Sequence, residues 1–469
     1  MKRFSILLAA AALFAAVAGC QKEPAGNADG QESDVYVEFT INFEDGMTKA
    51  DDDHNSSNVA VGTDEEHAVK YAYLYFFDAS NKYAQTVKIA AGDITSSKEM
   101  EGSIVKKTTV PTQLTPGKYN VYATLNYEVS DLTTTTTETD FKEMTYAHDY
   151  ASYDMDTYGI PMSSRSSDGV MCQNVTVSAD NTQDSPVQIQ LFVERMLAKL
   201  TVKNKYSSYT IPGASVSLTH YKPVNLAKNA YVYRHVGADA SSTSFGVITD
   251  DNYVIDPETS IKTTGDLAGV NLYNGVKSIT HDIAIPADGA TSPPMYCAEN
   301  TMLVNSQYKT YGTAFAFAAK VKPADDTYFA KNGASVEATT YSTGDLWYFD
   351  GAFYDSLESL NSHKGLSLGV TPSKNNYYKK FGVKYFVGGI CYYNYYIRHF
   401  DNGNDHSMGK MEFAIVRNND YQVTVTGINA LGEDTPGAAA EVIESGKSYF
   451  QATLLVRPWV VRKQDAVLG

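Results

Sequence analysis

Apolar and polar residues alternate along much of this chain, and the earliest clear run is the sharpest. Val35, Val37, Phe39, Ile41 and Phe43 are interleaved with Tyr36, Glu38, Thr40 and Asn42. Side chains of a strand point to opposite faces in turn, so this spacing predicts a half-buried β-strand. Asp45-Gly46 ends it, and Lys49 follows, ahead of an acidic, polar loop from Ala50 to Glu66. Further strands are predicted at 68–77 (AVKYAYLYFF), within Leu114 to Asn126 after a Pro-Gly turn, and at Val187 to Val193. The threonine run at 133–137 reads as loop, and residues 134–152 have room for one short helix. After Glu194-Arg195 the alternation restarts at Met196 to Val202, which predicts a domain boundary there. More strands are expected near 214–221, 230–236, 313–322, 346–354, 383–397, 411–417 and 420–428. A Gly/Ala-rich linker (LGEDTPGAAAE) then leads to one last apolar segment, Tyr449 to Val461. Many short strands at intervals of about ten residues predict β-sandwich domains.

The first 34 residues follow a different logic. Met1-Lys2-Arg3 is basic, Phe4 to Val17 is apolar, and Val17-Ala18-Gly19-Cys20 has the form of a lipobox. A run this short is an export signal, because a membrane span needs about 20 apolar residues. Cys20 is the expected lipidation site, and residues 21–34 contain no large apolar residue, as in a flexible tether. A single lipid-modified cysteine anchors a protein to a membrane surface, and a cut beyond it releases the rest.

Composition narrows the picture. Net charge is -16, which argues against nucleic acid as a partner, since phosphate binding needs a basic face. Residues 1–49 hold four Lys/Arg and seven Asp/Glu, so the remainder still carries 34 basic against 47 acidic residues. The 35 tyrosines fit strands better than helices. With Cys20 assigned to lipid, Cys172, Cys297 and Cys391 remain, and three buried reduced thiols are the simplest expectation. Their spacing fits no zinc pattern.

The search for chemistry finds no G-x-S-x-G, H-E-x-x-H, P-loop or dinucleotide turn, so no enzyme, cofactor or metal site is expected. Cys391 with His399 and His406 could be imagined as a nucleophile pair, but the cysteine falls inside a predicted strand. Asp51-Asp52-Asp53-His54 lacks the glycine and distal glutamate of a calcium loop. Asn55-Ser56-Ser57 and Asn174-Val175-Thr176 match the N-glycosylation sequon by chance if the lipobox is bacterial. The pairs Tyr377-Tyr378, Tyr392-Tyr393 and Tyr395-Tyr396 could offer a glycan platform, yet neighbours in a strand split between two faces.

Two features demand a partner. The strand at 35–43 lies between a lipid and a basic residue, and the terminal strand follows a long linker. An isolated apolar strand must pair with something, because its backbone groups and apolar face are costly in water. The first can fill a groove in its own subunit, and a cut at Lys49 would allow it to leave. The last could enter the emptied groove of a neighbour, which is β-strand addition. That contact is head-to-tail and does not close, so it builds a filament.

With these features the chain resembles the type V pilus fimbrillins, lipoprotein-derived pilins, and among them the major shaft subunits of short fimbriae. The residues that carry the likeness are Tyr392-Tyr393 with Tyr395, then Ile415-Val416-Arg417-Asn418-Asn419 with Tyr421 and Ile428, then Leu431-Gly432, and the ending Leu455-Val456-Arg457-Pro458-Trp459-Val460-Val461. Weaker likenesses are Leu114 to Asn126, Glu194 to Val202, Tyr296 to Asn300 (YCAEN) and Ala314 to Pro323. The resemblance implies a mainly β fold of two transthyretin-like β-sandwich domains, with a removable N-terminal strand and a C-terminal donor strand. The expected divisions are a signal peptide (1–20), a propeptide with the groove-filling strand (21–49), an N-terminal domain (50–195), a C-terminal domain (196–446) and a donor tail (447–469). It also implies lipidation at Cys20 and cleavage between Lys49 and Ala50 by a trypsin-like surface protease, where the best-studied family site is an arginine. Val35, Val37, Phe39, Ile41 and Phe43 would fill the groove before cutting. Phe450, Ala452, Leu454 and Val456, or the opposite face with Leu455, would replace them, with Trp459 in the same strand. The expected partners are further copies in a homopolymer, anchor and tip subunits, the protease, and the outer membrane through the precursor's lipid. The expected location is a cell-surface fimbrium serving adhesion. The rival readings are a tip adhesin and a surface glycan-binding lipoprotein that never polymerises.

N-terminal sequencing of the mature surface protein is expected to begin at Ala50. A Lys49→Gln variant is expected to keep both the 35–43 strand and the lipid at Cys20, read by mass spectrometry of the cell-surface form.

Overall fold

The computed structural model describes residues 35–43, 60–93, 96–100, 103–150, 152–165, 171–238, 243–245, 253–273, 283–369, 381–404, 407–436, 443 and 450–460. The fold is mainly β. In the first part of the chain the strands are β1 (Val35–Phe43), β2 (Ala60–Val61), β3 (Tyr71–Asp78), β4 (Tyr83–Ala90), β5 (Ser96–Met100), β6 (Ser103–Thr112), β7 (Gly117–Leu125), β8 (Thr145–Ala147), β9 (Met162–Arg165), β10 (Gln173–Val177), β11 (Val187–Arg195) and β12 (Ala198–Asn204). Nine of them form one sheet in the order β4-β3-β7-β9-β11-β1-β6-β5, with β10 paired to β7.

That sheet is organised around aromatic residues. Six consecutive residues of β3, Ala72 to Phe77, are buried, so both faces of this strand are covered. Phe141 is the hub on one side, with the rings of Tyr75, Phe77, Tyr122 and Tyr233 at centroid distances of 4.8–5.5 Å, tilted or edge-on. Phe141 is carried by a short helix, Glu138–Lys142, within the stretch predicted to hold one. Thr137 caps it and Asp140 reciprocates, satisfying backbone donors that the first turn leaves free.

From β12 onward the strands form smaller sheets. One five-stranded sheet runs β2, Phe450–Val460, Asn419–Ile428, β12, Met295–Cys297. A second contains Tyr209–Ile211, Ala214–Val224, Ala314–Pro323 and Ile390–Tyr396, with Ile283–Ala284 beside Ala214–Val224. A third contains Ser335–Ala338, Tyr328–Asn332, Ala352–Tyr354, Leu346–Phe349 and Lys384–Phe386. One buried cluster gathers residues from all three, including Leu200, Val216, Phe317, Phe353, Phe386, Tyr421 and Val423.

Several local expectations change. The predicted strand at 411–417 is a buried turn. Phe413, Ala414, Ile415 and Val416 are buried in succession, which an alternating strand with one solvated face does not allow. Only Ile415 bridges, exchanging backbone hydrogen bonds with Asn300 at 2.8 and 3.0 Å, and Met411 and Asn418 adopt left-handed backbone at the ends. The polar loop ending at Glu66 contains β2, and Glu66 itself is buried. The helix Leu357–Lys364 escaped the sequence reading although Ser356 caps its start and Gly365, left-handed, ends it. Strand β4 alternates weakly because it is an edge, with Ala84, Lys88 and Ala90 exposed.

Two histidines belong to this interior. His148 meets Tyr146 Oη through Nδ1 at 2.8 Å, and His399 meets Tyr421 Oη through Nδ1 at 2.7 Å. Burial pushes each imidazole down to about 4, from 6.5 in an unstructured chain. A depressed histidine pKa gives stability that is complete above the unfolded value and is lost as pH falls from 6.5 toward 4, because the unfolded chain takes up the proton first. Denaturant unfolding at about pH 7.5 and about pH 5 is expected to differ by about 2 kcal/mol for each histidine. His399→Gln should remove its share, and equal stability at the two pH values would refute the assignment.

Candidate functional site

The predicted groove-filling strand lies in the middle of the large sheet. β1 runs parallel to β11, from Val37 opposite Val187 to Phe43 opposite Val193. On its other edge it runs antiparallel to β6, from Val35 opposite Thr112 to Asn42 opposite Val105. Tyr36 N also donates to Asn181 O at 3.0 Å, fixing the start of the strand. Val35, Val37 and Phe39 are at most 1% exposed, while Tyr36, Glu38 and Thr40 are half-buried, so the period of two is realised over 35–40. Ile41 and Phe43 continue the strand and its pairing, but their side chains lie outside the described set. Removing β1 would leave a slot of roughly 10 Å between β6 and β11, two strand spacings wide. Each fully buried apolar side chain contributes roughly 1.5–3 kcal/mol. Both edges of the slot would then carry unpaired backbone donors and acceptors.

Cys20, Lys49 and Ala50 lie outside the described residues, as do Asp51 to His54, Tyr377, Tyr378 and His406.

The tail strand, Phe450–Val460, lies on its own chain. It pairs antiparallel with Asn419–Ile428, setting Phe450 opposite Ile428, Ala452 opposite Val425, Leu454 opposite Val423, Leu455 opposite Gln422 and Val456 opposite Tyr421. The positions facing Phe450, Ala452, Leu454 and Val456 are buried, whereas Gln422, facing Leu455, is half-buried. On its other edge the tail meets β2, with Ala60 opposite Trp459 and Val61 opposite Val460. The side chains of the tail strand lie outside the described set.

Between these two strands the chain is tied together by buried charge. Glu66 Oε1 accepts from Tyr296 Oη and from Lys199 Nζ, each at 2.8 Å, and Glu66 Oε2 accepts from Thr63 N at 2.8 Å. Burial alone would raise this carboxyl, but the Lys199 ammonium and the hydrogen bonds from Thr63 and Tyr296 hold it below its ordinary value. Arg195, at the end of β11, donates to Glu66 O at 3.4 Å and to Asn418 Oδ1 at 3.3 Å. Glu194 pairs with Arg234, whose guanidinium is pushed down to about 9 by burial with Arg165 nearby. Arg417 donates to Glu299 Oε2 at 2.6 Å and to the carbonyls of Val232 and Tyr231 at 3.0 and 2.6 Å. The short sequence stretches ER, YCAEN and IVRNN thus converge at one place. Sequence reading identified each of them but not their contact, because charged residues far apart in a chain carry no signal of being paired.

The remaining candidates resolve into packing. Cys391 is buried, its thiol pushed up by burial, and it contacts Tyr393 Oη at 3.6 Å while His399 engages Tyr421. Cys172, Cys297 and Cys391 are free thiols, but only Cys297 and Cys391 are buried as expected, whereas Cys172 is half-buried. Tyr393 and Tyr395 pack against the main core of the second part, and Tyr392 and Tyr396 against Ala314, Ala316 and Ala318 on the other face. Among the described residues no group of three His, Cys, Asp or Glu side chains is placed to hold a metal ion, and no helix is long and apolar enough to cross a membrane.

The chain is mainly β, with β1 paired on both edges inside the large sheet and the tail strand paired on its own chain. The chain belongs to the fimbrillin family of fimbrial subunits. Residues 36–195 match the family described as major fimbrial subunit protein (FimA), and residues 384–465 match major fimbrial subunit protein type IV, fimbrillin, C-terminal. Subunits of this family form cell-surface fimbriae. No curated protein matches the chain. It is similar to a candidate cell adhesion protein from Parabacteroides distasonis, at 12% identity over 91% of this chain and 99% of that one, with a TM-score of 0.43. It is also similar to the C-terminally truncated tip fimbrial protein Mfa3 from Porphyromonas gingivalis, at 11% identity over 90% and 100%, with a TM-score of 0.38.

Phe39→Ala, in protein with an intact 44–59 loop, is expected to cost about 3–5 kcal/mol in urea unfolding. A change below about 1 kcal/mol would mean that the β1 face contributes little packing.

Proposed function

We propose that this protein is a structural pilin, the shaft subunit of a surface fimbrium. It is exported as a lipoprotein through Cys20, cut between Lys49 and Ala50 by a trypsin-like surface protease, and polymerised by donor-strand exchange. The observation that supports the proposal is the position of β1, inside a sheet and paired on both edges but joined to the rest of the sequence that follows only through the segment 44–59, which contains Lys49. A central strand with one severable connection is a removable plug. Residues 50–195 and 196–446 are read as two transthyretin-like β-sandwich domains, and 447–469 as the donor.

Pairing gives the exchange its direction. On its own sheet the tail pairs at nine positions on one edge and two on the other. In the slot β1 pairs at seven positions on one edge and eight on the other. A tail entering the slot of a neighbour exchanges a nearly one-sided ladder for a two-sided one. The partners are further copies of the chain, with anchor and tip subunits at the ends of the fimbrium.

Deleting residues 447–469 is expected to abolish filaments seen by electron microscopy while leaving export and cutting intact. Filaments of normal length from the truncated protein would remove the donor assignment.

A further inference from the structure

The chain segment that follows the loop after β1 crosses the end of the tail's sheet. The rows of that sheet align Tyr296, Lys199, Asp420 and Arg457 across four neighbouring strands. Glu66 grips this row at one side, through Tyr296 and Lys199. Five residues earlier, β2 pairs with Trp459 and Val460 at the other side. Among the described residues β2 is the only neighbour on the tail's outer edge. This pairing begins on the tail directly after Pro458, which has no N–H to offer to a ladder.

We propose that β2 is a latch that holds the C-terminal end of the tail strand on its own sheet. It is an autoinhibitory contact wired to the plug. β2 is fixed at one end by Glu66 and at the other, through 44–59, by β1 in the large sheet. Two tethers keep the local concentration of a two-residue strand high at the tail, and loss of one lowers it. A two-residue pairing held from one side only frays. A single cut between β1 and β2 therefore loosens the plug and the tail together, which prevents a subunit from offering its tail before its own groove can open. The use of the latch rests on the reading of the tail as donor, whereas the contact itself does not.

The test is hydrogen exchange by mass spectrometry on full-length, uncut protein carrying Lys49→Gln. Adding Ala60→Pro and Val61→Pro removes two backbone donors. Exchange in peptides spanning 455–460 is expected to rise roughly tenfold, the equivalent of one or two net hydrogen bonds. Exchange in 35–43 should not change, whereas 419–422, which pairs with 455–458, should rise with the tail. Unchanged exchange at 455–460, or an equal rise at 35–43, overturns the latch. If the double variant does not fold, Glu66→Gln loosens the strap from its other end and should raise exchange at 455–460 by a smaller factor, and no rise there overturns the latch equally. The two readings separate in a filament assay on cut protein, with the latch variants made in the chain that keeps Lys49. If exchange at 455–460 rises but filament formation ignores both the latch variants and the tail deletion, the latch stands and the donor reading falls.

Discussion

A strand in the interior of a sheet has two edges to satisfy, and the rest of this structure depends on how that is done for β1. β6 and β11 are far apart in sequence and do not pair with each other. Each presents a backbone edge to β1, and Val35, Val37 and Phe39 complete the core beneath. Without an occupant, the slot would leave two unpaired edges and an open apolar floor, both costly in water. Whatever leaves the slot must be replaced by another extended, alternating segment.

The buried charges at the junction serve a different purpose. Glu66, Lys199, Arg195, Glu194, Arg234, Glu299 and Arg417 link the end of β11 to β12, to the 231–234 segment and to the turn before Asn419–Ile428. Such pairs are weak sources of net stability, since desolvation offsets much of the attraction, but they penalise any geometry that separates them. They fix the groove and the tail's sheet on a common frame. Arg417 with Glu299, both fully buried, lies at the foot of the strand that carries the tail.

β1 was legible as a strand because nine residues with a strict period of two, bounded by turn signals, have one structural reading. The tail was legible as a strand for the same reason. Its pairing partner was not, since alternation along a strand carries no record of which neighbour sets its register, here Asn419–Ile428. The 411–417 segment was misread because a run of consecutive buried residues resembles a buried strand in composition, and only the Ile415–Asn300 bridge and two left-handed residues show a turn. Glu66 was read as part of a solvated acidic loop because its partners, Lys199 and Tyr296, are more than a hundred positions away. β2, two residues long, is below the length at which periodicity carries information.

By itself the sequence determined the class of fold, the two unusual strands and the family to which they belong, because local alternation and short motifs are properties of neighbouring residues. The tertiary structure decided what those strands touch. It put β1 between β6 and β11, set the tail on Asn419–Ile428 with β2 at its outer edge, and gathered the scattered Glu and Arg residues into one junction. Pairing partners and buried ion pairs join positions far apart in the chain, and their energies depend on distance and burial, which exist only once the chain has folded.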